Sequence, residues 1–106
     1  MKINPLYVVA LKDEVSSEFI NEFDVLVTGV GKVNSTYELT KRITENKSKY
    51  NLIINFGTAG SNYLPPGSLV DCTKFFEKDM DCQPLGFEIY QTPFEDDTKL
   101  DFSLGS

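Results

Sequence analysis

The stretch Leu52-Ile53-Ile54-Asn55-Phe56-Gly57-Thr58-Ala59-Gly60-Ser61 decides the reading of this chain: an apolar run passes directly into a Gly-Thr-Ala-Gly turn. The apolar residues predict a buried strand. Gly57 and Gly60 predict a backbone that comes close to a ligand, where a side chain would stand in the way. Upstream, Asp24-Val-Leu-Val-Thr-Gly-Val-Gly-Lys-Val33 has the same design, a strand that ends in glycines and leads into a helix. Two strand-to-glycine turns in one short chain predict a small-molecule site at the carboxyl ends of parallel strands.

Outward from these turns, strands and helices alternate. Leu6 to Leu11 reads as a buried strand, and Lys12 to Phe23 carries Val15, Phe19, Ile20 and Phe23 at helical spacing. Asp24 to Thr28 is a second strand, and the helix from about Lys32 to Lys47 has apolar Val33, Tyr37 and Ile43 among Lys and Glu. Leu52 to Phe56 is the third strand. Pro65-Pro66-Gly67 breaks the chain before Ser68 to Phe76, which alternates as a strand does. Asp79 to Phe87 reads as loop, and Glu88 to Gln91 as a short strand. The expected class is α/β, with a mostly parallel central sheet and flanking helices. Residues 1–92 form the expected domain, and 93–106 an acidic tail or a connection that stops in mid-fold.

Composition narrows the function classes. The chain has 106 residues and a formal charge of −6, with no visible Lys/Arg cluster. An acidic surface repels phosphate backbones, which argues against nucleic acid as a partner. No opening segment reads as a signal peptide and no apolar run approaches membrane length. A cytoplasmic protein with Cys72 and Cys82 as reduced thiols is expected, with a disulfide between them as the alternative. There is no histidine, which excludes Ser-His and Cys-His nucleophiles and His-based metal sites. Carboxylates are left as the acid/base candidates. Cys72, Cys82 and Met80 lack ligand spacing, so no metal and no cofactor are expected.

Glu14 stands just past the first strand, where a carboxylate can face the ligand crevice; the competing reading is an acidic residue suited to a helix's first turn. Thr58 lies within the glycine turn, where it can face a ligand or bond its own backbone. The glycine pair of Gly29-Val30-Gly31 could cradle a phosphate, but it is neither a Walker loop nor a full GxGxxG.

Four blocks, taken in order, carry a resemblance: Ala10-Leu-Lys-Asp-Glu-Val15, Thr28-Gly-Val-Gly-Lys-Val33, Ile53-Ile-Asn-Phe-Gly-Thr-Ala-Gly60 and Pro66-Gly-Ser-Leu-Val-Asp71. Together they resemble the amino-terminal half of the purine nucleoside phosphorylase superfamily, in its 5′-methylthioadenosine/S-adenosylhomocysteine nucleosidase branch. The resemblance implies a nucleoside phosphorylase-like fold, hydrolysis of a purine nucleoside's N-glycosidic bond, no cofactor, and a homodimer whose active site borders the interface. It implies that Glu14 positions the attacking water, and that Thr58 and the backbone of Gly57 and Ala59 face the sugar. Leu11 and Val30 would line the base and thioalkyl end, with plain core as their other reading. Leu85 would reach a neighbouring subunit's pocket. Bacterial phosphorylases of the superfamily place a phosphate-binding arginine where this chain has Asn55, and its only arginine, Arg42, is expected on an exposed helix face. Phosphate needs a charged, forked donor, so water is the expected nucleophile.

The chain departs from the family in two ways. The segment from Val15 to Asp24 is shorter than in the family. The family's later residues for ribose, adenine and purine protonation have no counterpart here. The alternative is therefore a non-catalytic fragment that binds a nucleoside or assembles with partners. Half of a doubly packed α/β domain is also expected to expose sheet edge or apolar surface and to self-associate.

Overall fold

The computed structural model describes residues 2–95 in full and the backbone of residues 100–101. The chain divides into two units, Met1–Asn62 and Tyr63–Ser106. The first contains three strands, β1 (Pro5–Val9), β2 (Val25–Val27) and β3 (Leu52–Asn55), and two helices, α1 (Ser17–Glu22) and α2 (Lys32–Glu45). The sheet order is β2-β1-β3, and both pairings are parallel. The expected α/β class with a parallel sheet holds for this unit.

The order explains the layers. The connection through α1 steps to one side of β1, and the one through α2 crosses back to the other. Parallel crossovers are right-handed as a rule, and two of them in opposite directions place their helices on opposite faces. Alternate residues of β1 accordingly meet different helices. Leu6 and Val8 pack with Leu26 under Leu39 of α2 and Tyr50. Tyr7 points the other way and meets Phe19 of α1 and Phe23, which caps that helix, edge-on, with ring centroids 4.9 and 5.4 Å away.

Three elements differ from their sequence reading. The helix expected over Lys12 to Phe23 is split into a 3-10 turn (Lys12–Glu14) and α1. Val15 is extended between them, and Ser16 starts α1 by accepting the Phe19 N–H at 3.1 Å. A serine cap offers the chain a fresh helix start, which competes with one continuous helix. In α2 the expected apolar stripe faces outward: Val33 is 83% exposed and Tyr37 62%. Leu39, two residues past Tyr37 and so on another face, packs inward instead, and Arg42 about one turn beyond it is part-buried too. The apolar run of β3 is not a buried strand: among the described residues it pairs with β1 alone, as an edge strand, and Leu52, Ile53 and Phe56 stay exposed.

Arg42 thus leaves the exposed face expected for it and lies 3.8 Å from Asp24, at the amino-terminal edge of the sheet. Asp24 also accepts the Tyr50 hydroxyl at 2.6 Å and meets Lys49 at 3.2 Å. The Tyr50 hydroxyl, then Lys49 and Arg42, hold its carboxyl below the usual range against partial burial. A folded pKa below the unfolded one stabilises above about pH 4, and the gain disappears as pH falls through the lower folded value. Tyr50→Phe is expected to destabilise the protein by about 0.5–1.5 kcal/mol at neutral pH. Urea titrations should show that gap narrowing below about pH 4. An equal gap at both pH values would mean that the hydroxyl stabilises by something other than the ionised carboxylate.

The second unit has less regular structure. Only Lys74–Phe75 of the expected strand over Ser68 to Phe76 is extended and paired; this is β4, which pairs antiparallel with β5 (Leu100–Asp101). The short strand expected over Glu88 to Gln91 reduces to a single bridge between Asp81 and Ile89, because Tyr90 turns to a left-handed φ of 67°. Aromatic pairs organise this unit: Phe76 stacks on Tyr90, and Phe87 meets Phe94 edge-on. Both cysteines are free thiols, so the disulfide alternative is set aside. The rest of the expected acidic tail, 96–99 and 102–106, lies outside the described residues. No helix among the described residues is long and apolar enough to cross a membrane.

Candidate functional site

In the order β2-β1-β3 the chain leaves β1 toward one side and returns on the other, so β1 and β3 flank the topological switch point. Ligands of open α/β sheets bind outside the carboxyl ends of such a strand pair. The residues found there are Ala10 to Glu14 after β1 and Phe56 to Gly60 after β3.

Glu14 joins the two segments. Its Oε1 accepts the backbone N–H groups of Ala10 and Leu11 at 3.0 and 2.9 Å. Its Oε2 accepts the Thr58 backbone N–H at 3.0 Å and the Thr58 hydroxyl at 3.1 Å. The local sequence explains the first pair: a tight 3-10 turn brings the third residue's carboxylate back over the N–H groups that open it, as in half of a capping box. The second pair comes from the sheet, because the β1–β3 register carries on past Asn55 with Phe56 N–H donating to Val8 at 2.9 Å. The amino-terminal end of the same strand pair is pinned too. Asn4 and Asn51 exchange bonds there, with Asn4 N–H on Asn51 Oδ1 at 2.7 Å and Asn51 N–H on the Asn4 carbonyl at 3.2 Å.

A carboxylate has about four acceptor positions, and here all four are filled. The Leu11 N–H first, and then both Thr58 donors and the Ala10 N–H, hold the Glu14 carboxyl below the usual glutamate range against partial burial. Glu14 is therefore ionised at neutral pH. It can hold a positive charge or orient a donor; proton abstraction would first require one of its present bonds to open.

The other expected site residues fall into three places. Gly57 and Ala59 flank Thr58 in the exposed turn after β3. Neither Gly57 nor Gly60 has a left-handed φ, and a Cβ on Gly57 would meet Glu14 Oε2 at an ordinary 3.5 Å. The special backbone need expected at this turn lies instead at Gly29 and Gly31, whose φ values are 85° and 101°. Leu11 and Val30 are exposed on the carboxyl rim, after β1 and β2, so neither is core. Leu11 brings its N–H to Glu14, while its side chain stands outside. Leu85 lies in the second unit, in a 3-10 turn (Gln83–Leu85), and is exposed.

Beside Glu14, on the α1 face of the sheet, is a cavity of about 280 Å³ lined by Tyr7, Val9, Val15, Ser16, Phe19, Ile54 and Phe56 together with Glu14. Strand alternation could have pointed to it, since the register puts Tyr7, Val9, Ile54 and Phe56 on one face. A larger hollow of about 390 Å³, lined by Tyr50, Asn51 and Leu52 among others, sits at the amino-terminal end of β3, away from the carboxyl ends. No group of residues able to hold a metal ion occurs among the described residues.

No protein-family model matches the chain, and no curated protein is significantly similar to it in sequence.

Proposed function

We propose that the chain has the amino-terminal part of a purine nucleosidase site, acting on methylthioadenosine or a related adenosine thioether and releasing adenine by hydrolysis. The observation that carries this reading is the Glu14–Thr58 pair at the β1–β3 switch point, two residues that the four-block resemblance gives to the water and the sugar. N-glycosidic cleavage develops positive charge on the sugar, and an ionised carboxylate stabilises that charge. The attacking water forms the new C–O bond as the C–N bond to the base breaks, and the leaving base takes up a proton. The donor of that proton is not assigned among the described residues. Arg42, the chain's only arginine, is engaged with Asp24 at the opposite end of the sheet, which supports water over phosphate as the nucleophile. By the same resemblance the acting form is a homodimer.

The saturation of Glu14 favours a second reading, in which the carboxylate is a structural clasp and the chain binds a nucleoside without cleaving it. Adenine release from methylthioadenosine by the purified chain separates the two. Release is expected under the first reading. A folded chain that binds methylthioadenosine in calorimetry without releasing adenine would establish the second.

A further inference from the structure

We propose that the free edge of β3 recognises a second copy of this chain: it pairs with that copy's β3, antiparallel about a two-fold axis at Ile54, and joins two three-stranded sheets into one. Along a parallel strand, successive backbone N–H groups point to opposite edges. Phe56 donates inward to the Val8 carbonyl, so Ile54 also faces β1, and the N–H and C=O groups of Ile53 and Asn55 point away from it. Among the described residues no strand takes up those groups. An uncovered edge of this kind recruits a strand.

Charge and self-complementarity select a second copy as that strand. The chain has a formal charge of −6, so two copies repel over most of their surface, yet no charged residue lies between Asn51 and Asn62. The opposite edge is protected by contrast: β2 spans only Val25–Val27 and follows Asp24, which holds Lys49 and Arg42. A two-fold axis at Ile54 sets Ile53 opposite Asn55, and the two exchange both of their N–H···O=C bonds on each side of the axis. On the other face Ile54 meets its own copy, and each Leu52 meets a Phe56. Leu52 and Phe56 are exposed in the single chain, so the pairing takes apolar surface out of water. This interface rests on the geometry of the edge and does not depend on the nucleosidase reading.

Sedimentation of the whole chain is expected to show the mass rising from 11.9 kDa toward twice that value between roughly 1 μM and 1 mM. Over the same range the Ile53 and Asn55 amides should pass from fast to slow hydrogen exchange, while the β1 amides stay protected throughout. Asn55→Pro removes one outward donor and spares the bonds to β1. It should weaken association by about tenfold or more, and so should Leu52→Lys, which leaves the backbone unchanged and sets a charge at the edge. Both variants should keep a cooperative melting curve. The register has its own readout. In a background of Cys72→Ser and Cys82→Ser, Ile54→Cys should cross-link two copies in oxidised glutathione, because directly opposed residues of a non-hydrogen-bonded pair lie within disulfide reach. Leu52→Cys should not, since the axis sets it opposite Phe56. A monomer over the whole range would overturn the proposal, and so would equal cross-linking at the two positions. A dimer with fast exchange at Ile53 and Asn55 would place the interface elsewhere, as on the Val33–Tyr37 face of α2, and would also overturn it. Slow exchange of both amides at every concentration would mean that another part of the chain covers the edge. Undiminished association of both folded variants would be equally decisive against it. Adenine release enters none of these outcomes.

Discussion

Under the proposed nucleosidase reading, adenine release by the Glu14→Gln protein is expected to fall by roughly 10²–10⁴-fold, the range associated with losing a positioned catalytic group. The substitution keeps size and shape but replaces two acceptor oxygens by one oxygen and one NH2. If the oxygen keeps the Ala10 and Leu11 N–H groups, the NH2 faces the Thr58 N–H, donor against donor. The Thr58 hydroxyl can rotate to accept; its backbone N–H cannot. Hydrogen exchange at the Thr58 amide should therefore accelerate while the amides of β1 stay protected. The two readouts separate the roles of the carboxylate. Lost activity with little change at Thr58 marks the charge itself as the working part. A freed Thr58 with activity retained would sink the catalytic assignment and leave a clasp. Thr58→Val removes only the hydroxyl donor, so it should raise the Glu14 pKa toward the ordinary range and lower activity less.

Leu6→Ala is expected to have the largest effect on stability, a loss of about 2–5 kcal/mol. Leu6 is fully buried in the central strand and packs with Val8, Leu26, Leu39 and Tyr50. The buried apolar side chains among the described residues are Leu6, Val8, Val9 and Leu26, so few neighbours can close the space left behind. A domain of ordinary stability holds about 5–15 kcal/mol in total, so the loss removes a large share of it. With urea slopes of about 1–3 kcal/mol per molar, the midpoint should fall by on the order of 1–3 M. Val33→Ala serves as the control: its side chain is exposed, so the change should stay within about 0.5 kcal/mol. If the two variants destabilise equally, α2 packs through its Val33–Tyr37 face and the inward direction of Leu39 is wrong.

That control marks a boundary of what the sequence made legible. The periodicity of Lys32 to Lys47 predicts a helix, and α2 follows it within two residues at its end. Periodicity does not choose between stripes, however. Val33 and Tyr37 lie four residues apart, and so do Leu39 and Ile43, so each pair can define an apolar face. The outcome favours Leu39, with Arg42 one turn further on reaching Asp24, a residue that precedes another strand. The split at Val15–Ser16 was legible in part, since a serine before an apolar-periodic run is a helix start. The edge position of β3 was not, because an apolar run reads the same in a central strand and in one with a single partner.

The sequence by itself determined the strand-and-helix alternation, the turns at the carboxyl ends of β1, β2 and β3, and the two candidate residues beside them, Glu14 and Thr58. These are local properties: apolar runs, glycines that free the backbone, and a carboxylate one turn past a strand. Only the tertiary structure decided that Glu14 and Thr58, 44 residues apart, share two hydrogen bonds. It also decided that Tyr7, Phe19 and Phe56 line one hollow. The physical reason is the order β2-β1-β3. The α2 crossover carries the chain past β1 before β3 is laid down, so segments remote in sequence meet at the switch point, and no local pattern encodes that meeting.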